Sequence, residues 1–282
     1  MKINAPAKLN LFLEVLSKRK DDYHNIETVM VPVSLFDEIT VDESDKVSVE
    51  CDNKLLSGKN NLAFKAVLQL KSIFPGKIKG ASVYIKKRIP VAAGLGGGSS
   101  DCAAVLKAVN NIYNLALSSL ELKEIGVKLG ADVPYFIDTQ ASLCHGIGDK
   151  IKPLKIASNL SFVLINPQVE LPTYSVYSSL KTNLTQKPKS INMLLHGLYK
   201  GDMADIVNGM FNRLQDICEK KVPIVRELMA VLCEKGALKA MVSGSGPTVF
   251  GVCGTPDDAE RIKKEICENL NLECSVFSVE SI

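Results

Sequence analysis

Residues 90–104 read PVAAGLGGGSSDCAA. Gly94, Gly96, Gly97 and Gly98 crowd together, and Ser99 and Ser100 follow at once. Glycine loses more conformational freedom on folding than any other residue, so such density is costly. The run begins where ASVYIKKRIP ends at Pro90, a segment in which Val83 and Ile85 alternate with Tyr84 and Lys86 as in a strand. It is followed by Val105, Ala108, Val109, Ile112 and Ala116, an apolar stripe at helical spacing. Ser99 or Ser100 is the expected cap of that helix. A glycine-rich turn from strand to helix offers an anion the unpartnered N–H groups of the first helical turn and the positive end of the dipole. Successive glycines keep side chains out of its way. The serine hydroxyls can donate to a phosphate or hold its Mg2+. The plain alternative is a flexible turn ahead of an amphipathic helix. Two familiar phosphate loops do not fit. A Walker A loop needs lysine before its Ser/Thr, and Gly98 is followed by two serines; a G-x-G-x-x-G/A fingerprint begun at Gly94 meets Ser99 at its sixth position.

Outward from this run, residues 9–16 (LNLFLEVL), 26–42 and 46–52 read as strands, and 60–74 as a helix through Leu62, Ala66, Val67 and Leu70. Ser118-x-x-Glu121 is a capping box for a helix that stops at Gly130. The pattern loosens over 150–160, which predicts a domain boundary dividing 1–155 from 156–282, and the chain closes in a compact α+β arrangement. The second part shows a strand at SFVLINP and helices near 189–198, 203–219 and 222–235. It closes with a strand–loop–strand in MVSGSGPTVFGVC, a helix from about Pro256 to Leu270 and a last strand, CSVFSV.

The 282 residues are 46% hydrophobic and 23% charged, an ordinary globular balance. No apolar run is long enough for a membrane span, and Lys8 and Asn10 interrupt the N-terminal stretch where a signal peptide would be apolar. Net charge is +3 with no dense basic block, which argues against nucleic acid as a partner. The eight cysteines include no C-x-x-C pair. Cys102, Cys144, Cys218, Cys233, Cys253 and Cys267 sit among apolar neighbours and are expected to be buried free thiols of a cytoplasmic protein.

Three other stretches accompany the glycine run: PAKLNL at 6–11, GADVPYF at 130–136 and SGSGPTVFG at 243–251. In this order they resemble the motifs of the GHMP kinase superfamily. Together with DYHNIETV and NPQVELPTYSVY, across the whole chain, they resemble the 4-diphosphocytidyl-2-C-methyl-D-erythritol kinase family. The resemblance implies an ATP-dependent small-molecule kinase with Mg2+. It implies a GHMP kinase two-domain fold, ribosomal-S5-like in the N-terminal domain and ferredoxin-like in the C-terminal one. The acceptor it implies is the 2-hydroxyl of a cytidine diphosphate substrate of non-mevalonate isoprenoid synthesis, and the chain is expected to be a monomer or weak homodimer.

Residue by residue, the resemblance implies that Asp132 takes the acceptor's proton and that Lys8 steadies Asp132 and the phosphoryl group. The ordinary readings are a turn aspartate and a surface lysine. Pro90, Val91, Ala92, Ala93, Gly94, Leu95, Gly96, Gly97, Gly98, Ser99 and Ser100 match the phosphate loop, and Asn61 stands near the adenine by the same analogy. Asn10, Tyr23, His24, Thr173 and Tyr177 match the substrate side, where histidine can bond a pyrimidine edge and tyrosine can stack. The family has glycine before Tyr-His; here Asp22 stands there, a residue that tolerates positive φ better than most. Ser243, Gly244, Ser245 and Gly246 match a loop that faces the phosphate loop, and they read equally as a tight hairpin. Two alternatives remain open: another GHMP kinase acting on homoserine, mevalonate or a sugar, and a non-catalytic nucleotide- or RNA-binding protein.

Overall fold

In the computed structural model of the chain, residues 1–180, 188–269 and 273–282 are described. Their order begins β1 (Lys2–Lys18), β2 (His24–Glu43), β3 (Ser48–Cys51), α1 (Leu62–Ile73), β4 (Ala81–Lys86), α2 (Gly97–Ile112), α3 (Ser119–Val127) and α4 (Val133–Asp138). It continues β5 (Ser142–His145), β6 (Lys150–Pro153), β7 (Ser161–Asn166), α5 (Thr173–Tyr177), α6 (Asn192–Lys200), α7 (Met203–Gly209) and β8 (Phe211–Asn212). It ends α8 (Gln215–Lys221), α9 (Ile224–Glu234), β9 (Lys239–Val242), β10 (Val249–Cys253), α10 (Pro256–Asn269) and β11 (Ser275–Glu280).

The chain is mixed α and β, in two compact units. One comprises Met1–Ala7, Leu35–Ile89 and Gly96–Thr139; the other comprises Lys8–Ser34, Pro90–Leu95 and Gln140–Ile282. They interleave in sequence, whereas the loosened pattern near 155 suggests consecutive halves. The long strands β1 and β2 each contribute residues to both units.

In the first unit the C-terminal half of β2 pairs antiparallel with β4, and β4 pairs in parallel with β3. β4 buries Ala81, Val83 and Ile85 and exposes Ser82, Tyr84 and Lys86, the alternation expected of a strand with one covered face. Helix α1 packs on α2, and α2 on α3 and α4, burying Val67, Leu70, Val105, Leu106 and Val109. The capping box is formed: Ser118 Oγ accepts from Glu121 N–H, and the Glu121 carboxylate accepts from Ser118 N–H at 2.8 Å.

In the second unit an antiparallel sheet runs β11-β7-β10-β9, with Ile165 opposite both Val249 and Val276. Inner strand β7 is buried along its whole length, as its continuous apolar run requires. Helices α9 and α10 pack against this sheet. β1 pairs in parallel with β8, Phe12 opposite Phe211. Fully buried Glu14 receives two bonds of 2.7 Å from Arg213 and one of 2.9 Å from Lys189 N–H, so this buried charge is both paired and hydrogen-bonded.

Three local expectations change. Neither Ser99 nor Ser100 caps α2; Gly96 does, in the left-handed conformation and without a side-chain bond. The 203–219 stretch is two helices, α7 and α8, broken by β8, because pairing with β1 outweighs local periodicity. Cys233 and Cys267 are exposed. Each lies one position past the buried stripe of its helix, which ends at Leu232 in α9 and Ile266 in α10. Leu270, the expected end of the last helix, lies outside the described residues.

Candidate active site

The first unit holds the start of α2. Gly96, at φ 75°, turns the chain into the helix. Gly97 is helical and buried; a Cβ there would come within 3.0 Å of Ile89 Cγ2 and 3.3 Å of Lys87 Nζ. Gly98 is exposed, and a Cβ there would meet nothing within 4 Å. The Ser100 hydroxyl is buried with no hydrogen-bond partner among the described residues. Beneath this turn Lys87 Nζ donates to both Asp37 and Asp101, the latter at 2.9 Å. Asp37 also accepts from the N–H groups of Arg88 and Ile89, at 2.6 and 2.9 Å. The three charges tie α2 to the end of β4. Burial pushes the Asp101 carboxyl up to about 7 against the pull of the Lys87 ammonium, with the negative charge of Asp37 adding to the rise.

The GADVP turn reaches the same helix. A Cβ on Gly130 would lie 3.7 Å from Ser99 Oγ. Asp132 sits half-buried at the N-cap position of α4, yet its side chain makes no capping bond, so the ordinary reading of a capping turn aspartate loses its main support. Asn61 caps α1: its Oδ1 accepts from Ala63 N–H at 2.8 Å, and its Nδ2 donates to the Leu56 carbonyl at 2.7 Å. Both ends of that amide serve the fold.

The second unit gathers Lys8, Asn10, Gly94, Ser243 and Gly244. Lys8 is only 4% exposed, which disposes of the surface-lysine reading. It donates to Asn10 Oδ1, two residues on along β1. Gly94 has φ 75°, and a Cβ there would collide with the Ser243 carbonyl oxygen. Ser243 Oγ donates to the Gly94 carbonyl at 3.0 Å, and Thr248 N–H to the Ala93 carbonyl at 3.3 Å, so the two glycine-rich loops are fastened together here. Asn212, on β8, donates to the carbonyls of Val242 and Gly244, 2.8 Å each. Pro90, Val91, Ala92 and Leu95 complete this part of the loop, with Ala92 at φ 49°.

The expected substrate side partly assembles. His24 is buried, its ring centroid 5.3 Å from that of Tyr177 at 36°. Burial lowers the His24 pKa, with Lys18 adding to the effect against Asp22, so the ring is neutral at neutral pH. Thr173 Oγ1 lies 3.1 Å from Ser245 Oγ, joining α5 to the second glycine-rich loop. Tyr23 is more than half exposed at the β1–β2 turn. Asp22 takes φ 65°, the conformation for which a glycine is otherwise used. Sequence reasoning missed Thr28, Asn212 and the Asp37–Lys87–Asp101 cluster. Their partners lie far off in the chain, and no local pattern marks them.

The family model for the GHMP kinases N-terminal domain matches residues 61–140, and that for the GHMP kinases C-terminal domain matches residues 194–272. In fold the chain is thus of the GHMP kinase class. The chain is 38% identical to 4-diphosphocytidyl-2-C-methyl-D-erythritol kinase of Caldicellulosiruptor bescii, over 98% of this chain and 100% of the relative. It is 40% identical to the enzyme of the same name from Clostridium perfringens, over 89% and 88%. A crystal structure of 4-(cytidine 5'-diphospho)-2C-methyl-D-erythritol kinase superposes with a TM-score of 0.82 at 29% identity, covering both chains fully. Homoserine kinase from Cytophaga hutchinsonii shares the fold, with a TM-score of 0.80 at 19% identity, over 100% of this chain and 94% of that one. The chain belongs to the 4-diphosphocytidyl-2-C-methyl-D-erythritol kinase family of GHMP kinases and is a small-molecule kinase with ATP as co-substrate.

Proposed function

We propose that this chain transfers the γ-phosphoryl group of ATP to the 2-hydroxyl of 4-diphosphocytidyl-2-C-methyl-D-erythritol, a step of non-mevalonate isoprenoid precursor synthesis. The observation that carries the choice of acceptor is the His24–Tyr177 pair. A neutral histidine can donate from one ring nitrogen and accept at the other, as a pyrimidine edge needs, and the adjoining phenol ring supplies a stacking face. Homoserine, mevalonate and sugars have no base to use such a wall. Asn10, Tyr23 and Thr173 complete the substrate side in this reading.

The phosphate loop, Pro90 to Ser100, holds the ATP phosphates on backbone N–H groups. Asn61 stands near the adenine through the turn its amide fixes. Asp132 orients the acceptor hydroxyl and takes its proton, and Lys8 offsets negative charge on the transferring group. The orphaned, buried Ser100 hydroxyl suits a metal ligand beside phosphates, so the residues present fit Mg2+. The described residues hold no cluster of three or more His, Cys, Asp or Glu suited to a metal, which leaves most of its coordination to phosphate and water. Bound there, Mg2+ would neutralise charge on the phosphates. No helix among the described residues is long and apolar enough to cross a membrane. In this reading the enzyme works in the cytoplasm as a monomer or weak homodimer. The test is ADP release with a panel of the cytidine diphosphate substrate, mevalonate, homoserine and galactose. Turnover confined to the first supports the reading; preference for another acceptor overturns it.

A further inference from the structure

Lys8 and Asn10 stand two residues apart on β1 and so face the same way, and both are buried. Thr28 of β2, fully buried, lies beside them. Three hydrogen bonds follow in line. Lys8 Nζ donates to Asn10 Oδ1, Asn10 Nδ2 donates to Thr28 Oγ1 at 2.8 Å, and Thr28 Oγ1 donates to the Phe12 carbonyl at 2.6 Å.

The far end of the line forces its direction. A backbone carbonyl only accepts, and a threonine hydroxyl has one hydrogen. With that hydrogen on Phe12, Thr28 can only accept from Asn10. Asn10 must therefore turn its NH2 toward Thr28, and its carbonyl oxygen faces the Lys8 ammonium. A flipped amide would set two donors against each other at Lys8 and leave Thr28 facing an acceptor with no hydrogen to give. Gly244 closes the other side: a Cβ there would stand 3.0 Å from Asn10 Oδ1 and 3.2 Å from Lys8 Nζ.

We infer that Thr28 is a positioning residue for phosphoryl transfer, acting through Asn10 to fix where the Lys8 ammonium points. The inference rests on the catalytic role proposed above for Lys8. Thr28→Val keeps the shape and removes both hydrogen-bonding functions; Thr28→Ser keeps them. Loss of one buried bond that aims a charged group should lower kcat by about tenfold, with KM for ATP within about twofold. Thr28→Ser should restore kcat. On a Lys8→Ala background Thr28→Val should cause no further loss, because residues that act through one group are not additive. A merely structural threonine would lower activity equally on either background. The inference is overturned when Thr28→Val matches wild type, when serine fails to rescue, or when the full loss persists without Lys8. If Thr28→Val fails to fold by circular dichroism, Thr28→Ala, with room for a water, goes through the same cycle. Lys8→Ala separates the two levels. Wild-type activity there sinks the role of Lys8, and Thr28's with it; lost activity there with an unaffected Thr28→Val sinks Thr28's alone.

Discussion

Gly98→Ala sets the phosphate-loop assignment against elementary helix energetics. Gly98 lies in the first turn of α2, is exposed, and its Cβ would meet no protein atom within 4 Å. Alanine is better than glycine by about 0.5–1 kcal/mol in a helix interior, and the lower figure suits a first turn. Unfolding entropy is about 2.1 cal/mol/K per residue, or roughly 0.6 kcal/mol/K for a chain of 282 residues. The melting temperature of the ligand-free protein should therefore rise by about 1 °C. ATP binding should move the other way. If phosphate oxygens lie against this turn, the new methyl takes their space and pushes them off the backbone N–H groups. Losing one charge-assisted hydrogen bond costs about 1.5–3 kcal/mol, which raises KM for ATP by about 10–150-fold. Thermal melts and ADP release on the same preparation read both effects. A variant that melts no lower than wild type and keeps KM for ATP within twofold would refute the placing of phosphate at Gly98.

Asp132→Asn keeps the side chain's shape and removes its charge, so kcat should fall by about 10²–10⁴ with KM for both substrates little changed; steady-state kinetics within tenfold of wild type would remove Asp132 from the mechanism. His24→Ala and Tyr177→Ala should each weaken the cytidine substrate by about 1–3 kcal/mol and spare ATP, and equal losses for both substrates would point to damage to the fold instead. Asp101, raised to about 7, holds in the folded chain a proton that the unfolded chain releases above about pH 4. Stability should therefore fall as pH rises between those values, and Asp101→Asn should flatten that slope in melts across the range; an unchanged slope would rule Asp101 out as its source.

What was legible in the sequence was legible for local reasons. The alternation of β4, the capping box at Ser118 and the apolar run of β7 are each written within a few residues, and each is formed. What was not legible depends on distant partners. β8 is two residues long and exists because Phe211 pairs with Phe12 and Asn212 reaches the carbonyls of Val242, at the end of β9, and Gly244, in the loop that follows. Thr28 reads as any polar position in an alternating strand until Asn10 and Phe12 are set beside it. Asp37, Lys87 and Asp101 are 50 and 14 residues apart along the chain, and nothing local joins them. For the candidate site the resemblance supplied the roles, and the structure supplies surroundings: a buried Lys8, an Asp132 without a capping bond, a His24 beside Tyr177.

The glycine run itself separates into four causes. Gly94 needs positive φ and has the Ser243 carbonyl where a side chain would go. Gly96 needs the left-handed conformation to start α2. Gly97 needs neither; it packs on Ile89, so Gly97→Val, which loop conformation alone would make a pure test of ATP binding, instead shifts the first turn of α2 against the core. These three glycines are accounted for by the fold. Gly98 is not: its backbone is helical, its surroundings are open, and alanine would serve the helix better. A glycine that the fold does not require, at the head of a helix without a side-chain cap and two residues from a buried serine hydroxyl with no partner among the described residues, fits the proposed phosphate site, which needs a backbone open to approach from outside. Of all the glycines in the loop, Gly98 is therefore the one that the proposed phosphate contact, and not the fold, would account for.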